Sequence, residues 1–231
     1  RWNVHRNQDY AWWVARMRRT FEMVDIVRID HFRGFESYWE IAAHEKTAVN
    51  GRWVEGPRES VFDVFTRELE ALPIIAEDLG ELSPAVPALR DRLQLPGMKI
   101  LQFAFDGAPE NDFLPHRYPK NCVVYTGTHD NDTLRGWLES LDESQRNEVL
   151  DHVGGGSESA CRRLIELAFR SPAAWAVVPL QDLLGGITQR QTAGRGRNFI
   201  VLGVDMYQHL GYVLTLAQQA IANPVADHVS L

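Results

Sequence analysis

An α/β fold organised on a parallel sheet is what this sequence predicts, and three observations predict it. Short, β-branched-rich runs alternate with amphipathic segments of helical period up to about residue 185. Three of the runs end in acids, at Asp30, Glu77 and Asp130, and the C-terminal ends of parallel strands are where active sites form, in an open sheet or in a barrel. The 231 residues are 45% hydrophobic and 24% charged, the balance of a globular chain with one sizeable core, so disorder is not expected.

The elements follow in order. Over 9–24, Trp12, Trp13, Met17, Phe21 and Met23 recur near helical spacing between Arg16, Arg18 and Arg19, which predicts an amphipathic helix. Val24 to Asp30 then reads as a buried strand that enters a loop at Gly34. A helix over 58–71, with Val61, Phe62, Phe65 and Leu69 on one side, precedes a second strand over 73–80. Ser83 is the expected cap of the next helix, with Pro84 in its first position, where a missing amide costs nothing. A third strand is expected from Met98 to Phe105 and a fourth from Cys122 to Thr126, which runs on into Gly127-Thr128-His129-Asp130. Asp132 and Thr133 are ordinary cap candidates for a helix near 134–141. Asp142 with Gln145 three residues on marks the start of another helix, a Gly154-Gly155-Gly156 break ends it, and a third spans 158–169. The fifth strand is 174–180, and helical periodicity returns over 205–223.

Composition narrows the function. A net charge of −7 argues against broad affinity for nucleic acid, whose phosphates require a basic surface. Cys122 lies in an apolar run and Cys161 in a helical pattern, so the expectation is two buried structural thiols and no disulfide framework or four-ligand zinc site. No stretch approaches the roughly 20 apolar residues of a membrane span, and the opening residues lack the apolar core of a signal peptide. The expectation is a cytoplasmic protein without membrane contact that acts on neutral or metabolite substrates.

The strand-end acids carry the chemistry. In Arg28-Ile29-Asp30, period-two alternation puts Arg28 and Asp30 on one face; an arginine there keeps the acid ionised and oriented, as a carboxylate nucleophile needs. A structural ion pair is the simpler account of the same spacing. Glu77 leaves the apolar run Ile74-Ile75-Ala76, and desolvation there would raise its pKa toward that of a general acid, while Asp78 faces the opposite way. Alone, Glu77 could equally anchor a loop. His129 and Asp130 have no capping duty as evident as that of Asp132 and Thr133. One histidine, His31 or His129, beside three carboxylates also fits a divalent cation, although metal ligands usually cluster more tightly. Paired carboxyls flanking a glycosidic bond are standard equipment for glycoside chemistry. The interval from Asp30 to Glu77 exceeds the roughly 30 residues of a plain βα unit, so 34–57 is an insertion, and its Phe35, Tyr38, Trp39 and Trp53 suit sugar stacking or a packed lid.

Four long segments, in order, resemble the signatures of amylomaltases, the bacterial counterparts of plant disproportionating enzyme. They are Val24-Asp25-Ile26-Val27-Arg28-Ile29-Asp30-His31-Phe32-Arg33-Gly34-Phe35, Ile75-Ala76-Glu77-Asp78-Leu79-Gly80, Pro96-Gly97-Met98-Lys99-Ile100-Leu101-Gln102-Phe103-Ala104-Phe105 and Tyr125-Thr126-Gly127-Thr128-His129-Asp130-Asn131-Asp132-Thr133. The resemblance covers roughly 4–185. It implies a (β/α)8 barrel of which this chain holds the last five strands, over residues 1–185, with the N-terminal half of the same enzyme missing. It implies a retaining 4-alpha-glucanotransferase acting on α-1,4-glucans and maltooligosaccharides through a covalent intermediate, with no cofactor and no metal. By matching position Asp30 is the nucleophile, Glu77 the acid/base and Asp130 the acid that binds sugar hydroxyls and distorts the ring; Arg28, His129 and Asn131 contact substrate. Related readings are an α-glucan hydrolase or debranching enzyme, and an inactive glucan-binding fragment. From about Gly186 on the family pattern is lost, and 186–231 is expected to be a divergent tail produced by a reading-frame shift.

Overall fold

The computed structural model describes residues 1–183, so the tail expected over 186–231 lies outside the described residues. The chain forms two compact bodies, the first Arg1–Met98 and the second beginning at Lys99.

In the first body the helix expected over 9–24 is present in shorter form, and a second helix precedes it. Helix α2 (Ala11–Phe21) is the expected element, and helix α1 (Trp2–Asn7) precedes it across Gln8, Asp9 and Tyr10, the last two with positive φ. Tertiary burial accounts for where α2 begins: Tyr10, at its N-cap position, is buried, and its hydroxyl lies 2.7 Å from Ser60 Oγ. Strand β1 (Val27–Ile29) leads to the one-turn helix α3 (Arg33–Glu36), and the insertion is an antiparallel hairpin of β2 (Ser37–Ile41) and β3 (Gly51–Glu55). Helix α4 (Glu59–Glu68), strand β4 (Ile74–Ala76) and helix α5 (Ala85–Arg92) complete this body. Pro84 occupies the N-cap position of α5 and no side chain caps it, so Ser83 does not serve as expected. The core gathers Val14 and Met17 of α2, Phe32 and Phe35 around α3, and Val61, Phe62 and Phe65 of α4, together with Ile74, Val86 and Leu89. Fully burying each such side chain contributes about 1.5–3 kcal/mol.

The base of the hairpin is locked. Glu36, buried, pairs with Arg58 at 2.9 Å, and the Gly56 amide donates to the Glu36 carbonyl at 2.8 Å. A Cβ on Gly56 would stand 2.2 Å from the Phe35 carbonyl oxygen, a backbone atom that cannot swing aside. Gly56→Ala is therefore expected to destabilise the chain by about 1–3 kcal/mol, read as a lower urea midpoint in tryptophan fluorescence.

Strand β5 (Gly97–Ile100) crosses the division at Met98, and the second body holds β6 (Cys122–Tyr125), α6 (Leu134–Ser140), α7 (Glu143–Val153), α8 (Ser157–Arg170), β7 (Trp175–Val177) and α9 (Leu180–Leu183). The strand expected from Met98 to Phe105 ends at Ile100; residues Leu101–Ala104 wind into a 3₁₀ turn that buries Leu101 and Ala104 on one side and exposes Phe103. Thr133 caps α6, and Asp142 with Gln145 forms the expected capping box on α7. Cys122 is buried in the core with Val124, Leu134, Leu164 and Ala176, whereas Cys161 is only partly buried beside it.

The described strands fall into three sheets rather than one: β1 with β4 in parallel, the β2–β3 hairpin, and β5-β6-β7 with β6 and β7 parallel. Strands of three to five residues make short ladders, and the hairpin has polar residues on both faces, so no alternating pattern announced it. The α/β class stands, with parallel pairing between strands far apart in sequence.

Candidate active site

In the first body the parallel register Val27↔Ile74, Arg28↔Ile75, Ile29↔Ala76 carries Asp30 and Glu77 to the same ends of two adjacent strands. The ladder continues past the strands, with the Glu77 amide donating to the Ile29 carbonyl and the Phe32 amide to the Glu77 carbonyl, each at 3.0 Å. Arg28, as alternation predicted, is on the side of Asp30: its Nη2 donates to Asp30 Oδ1 at 3.0 Å, and its Nε rests against Met98 Sδ at 3.1 Å. The Arg28 side chain is three-quarters buried, whereas that of Asp30 is 70% exposed, so an anchored cation orients a carboxylate open to solvent.

Glu77, half-buried, is held by the backbone. Oε2 accepts the His31 amide at 2.7 Å and Oε1 accepts the Leu79 amide at 3.0 Å, so two backbone donors fix the carboxyl in place. Its neighbour Asp78 is buried on the other side, where it pairs with Arg90 and accepts the Met98 amide at 2.7 Å. A side chain on Gly97 would collide with this pair, since its Cβ would lie 2.6 Å from Asp78 Oδ2. One acid is presented and the adjacent one is structural.

Asp30 and His31 help to line an open cleft of about 520 Å³ walled by Trp2, His5, Trp13, Phe35 and Tyr38. Trp2 and Trp13 are stacked with centroids 5.5 Å apart. The aromatic residues of the insertion divide their duties. Phe35 is buried in the core, Tyr38 lines the cleft, and Trp39 packs edge-on to Trp53, over whose ring the Arg33 guanidinium lies at 4.4 Å.

In the second body the turn after β6 bears His129, Asp130 and Asn131. Asn131 Oδ1 accepts both the amide and the hydroxyl of Thr128, at 2.9 and 2.8 Å, so its side chain shapes the turn. His129 Nε2 is 3.3 Å from Asp130 Oδ2, and the Asp130 side chain is exposed. Beneath the turn, buried Asp182 accepts the Thr126 hydroxyl and the Leu134 amide, each at 2.7 Å, and so ties the end of β6 to the start of α6. Burial pushes its carboxyl up to about 6 against the opposing effect of those two hydrogen bonds.

These features have relatives. The model of the 4-alpha-glucanotransferase family matches residues 1–194. The chain belongs to that family. It is 48% identical over 187 residues to the 4-alpha-glucanotransferase of Synechocystis sp., covering 80% of this chain and 37% of that protein. The 4-alpha-glucanotransferase of Thermus thermophilus is 45% identical over 192 residues, covering 80% and 38%. Among solved structures, the amylomaltase of Streptococcus agalactiae in complex with acarbose superposes with a TM-score of 0.78 at 33% identity, over 81% of this chain and 38% of that one. The chain thus spans a little over a third of the length of these relatives. The family match runs to residue 194, past the point near Gly186 where the signature segments give out.

Of the residues singled out from the sequence, Arg28, Asp30 and Glu77 come together in the first body, and His129, Asp130 and Asn131 in the second. Asp182 was not singled out. An acid within the run Val177-Val178-Pro179-Leu180-Gln181-Asp182-Leu183 was the available signal, because a carboxylate in apolar sequence needs buried donors.

Proposed function

We propose that this chain is the part of a 4-alpha-glucanotransferase that carries its catalytic carboxylates, and that the complete enzyme moves α-1,4-glucan segments to the 4-hydroxyl of another glucan or of glucose. The observation that supports this most is the pairing of Asp30, held by Arg28, with Glu77 on the next parallel strand, beside an aromatic cleft.

In this reading Asp30 attacks the anomeric carbon while Glu77 gives its proton to the departing glycosidic oxygen, leaving a glycosyl ester on Asp30. Each oxygen of Glu77 keeps a second lone-pair direction, so the carboxyl can carry and pass the proton without releasing the His31 or Leu79 amide. Glu77 then takes the proton of the acceptor hydroxyl as that oxygen displaces Asp30, and two inversions restore the α-linkage. Asp130 is assigned to the sugar hydroxyls and to ring distortion, with His129 and the Asn131 amide beside it. Aromatic rings along the cleft offer stacking faces to glucose units and keep water from the ester while an acceptor is bound. No cofactor enters these steps. For the architecture, β1, β4, β5, β6 and β7 are read as five successive strands of a (β/α)8 barrel within 1–185, its first three strands belonging to an upstream segment, and 186–231 as a divergent tail.

The test is incubation of maltotriose with the chain plus a separately expressed upstream segment from a close relative, followed by chromatography of the sugars. Glucose together with a ladder of longer oligomers is expected. Glucose and maltose without longer products would replace transfer by hydrolysis, and no turnover would overturn the assignment. Arg28→Lys in the same assay is expected to lower kcat by about 10- to 100-fold, because a lysine cannot reproduce a contact that spans Met98 Sδ and Asp30 together.

A further inference from the structure

We propose that His31 is a positioning residue, and that its main chain rather than its imidazole couples Asp30 to Glu77. The inference rests on the roles given above to those two acids.

His31 follows Asp30 directly and has φ +51°, a left-handed conformation uncommon for a residue with a Cβ. That conformation turns successive amides toward the neighbouring strand end. The His31 amide donates to Glu77 Oε2 at 2.7 Å, and the Phe32 amide donates to the Glu77 carbonyl at 3.0 Å. The turn closes through the Gly34 amide on the His31 carbonyl at 2.9 Å and through Arg33 Nη1 on the Glu81 carbonyl at 2.6 Å. One peptide link therefore separates the residue that supplies the attacking oxygen from the donor that aims the proton-transfer group. Non-glycine residues in sparsely populated backbone regions persist only where their surroundings over-determine them, and here four hydrogen bonds of the β1–α3 turn do so. A displacement of Glu77 by a fraction of an ångström misdirects its proton relative to the glycosidic oxygen, and misplacements of that order cost up to about 100-fold in rate.

The coupling is tested in the chain completed with an upstream segment, with two substrates. Maltotriose disproportionation needs Glu77 in both steps. α-Maltosyl fluoride with azide needs it in neither: fluoride leaves with the bonding pair as Asp30 forms the ester, azide displaces Asp30 to give maltosyl azide, and no proton moves. His31→Val, strained in the left-handed region, is expected to lower kcat on maltotriose about 10- to 100-fold and on the fluoride by less than about threefold. His31→Ala should show the same split to a smaller extent, which covers the case of a Val variant that does not fold. His31→Gly and His31→Asn accept the left-handed backbone; whatever they lose in KM with the imidazole, the ratio of the two kcat values should stay within about threefold of wild type. An unchanged ratio in His31→Val and His31→Ala, or an equal shift in His31→Gly, would overturn the proposal. Wild-type formation of transfer products from maltotriose and of the retained maltosyl azide from the fluoride, both abolished by Asp30→Ala, is the separate mark of the underlying assignment; its absence would remove the catalytic roles themselves rather than the coupling alone.

Discussion

Replacing Asp30 by alanine in the completed enzyme is expected to lower transfer from maltotriose by about 10⁴-fold or more, the scale on which covalent catalysis collapses when its nucleophile is removed. The fold should survive. Asp30 is largely exposed, and among the described residues its side chain is hydrogen-bonded to Arg28, which keeps its contact with Met98 Sδ. Losing an exposed ion pair costs about 1 kcal/mol or less, so the melting temperature should barely move while the oligomer ladder disappears. Added azide sharpens the measurement: with the carboxylate gone, azide can enter from the vacated face and yield the inverted glycosyl azide, a product the wild type does not make. A variant that kept a tenth of wild-type activity would take the nucleophile role away from Asp30.

The second large effect is on stability. Asp182 titrates near 6 in the folded chain against 3.8 for an unperturbed carboxyl, so the folded state binds this proton more tightly than the unfolded state does. Its contribution is therefore most favourable below about pH 4 and is lost as pH rises through about 6, a swing of about 3 kcal/mol. Asp182→Asn keeps an acceptor for the Leu134 amide and a donor for the Thr126 hydroxyl without the buried charge. The melting temperature of Asp182→Asn relative to wild type should accordingly climb between pH 4.5 and pH 7, and parallel profiles would refute this account. Asp182→Ala strands both partners and should destabilise at every pH, by roughly 2–6 kcal/mol for two buried orphans.

What could be read in advance was local. Arg28 and Asp30 share a face because strand alternation has a period of two, and the structure joins them at 3.0 Å. The capping box of Asp142 and Gln145 needs three intervening bonds of helix and nothing more. Thr133 capped α6 for the same reason. Where the reading failed, the cause was a partner far away in sequence. The helix expected from Asp9 begins only at Ala11, because Tyr10 is received by Ser60 and the core around α4 and holds a left-handed backbone. The strand expected through Phe105 stops at Ile100 because Leu101 and Ala104 both turn into the second body's core. The hairpin of β2 and β3 is stabilised by cross-strand pairs such as Trp39 with Trp53 and Glu40 with Arg52, which have no signature within either strand.

The order of the residues was enough to establish the α/β class, the strand-end acids and the family, since all three are written in period, spacing and contiguous motifs. Folding added the amide clamp on Glu77, the left-handed turn at His31 and the buried Asp182 beneath the turn after β6. Each depends on a donor and an acceptor brought together across 46 to 56 positions of chain, and local pattern carries no record of such a meeting.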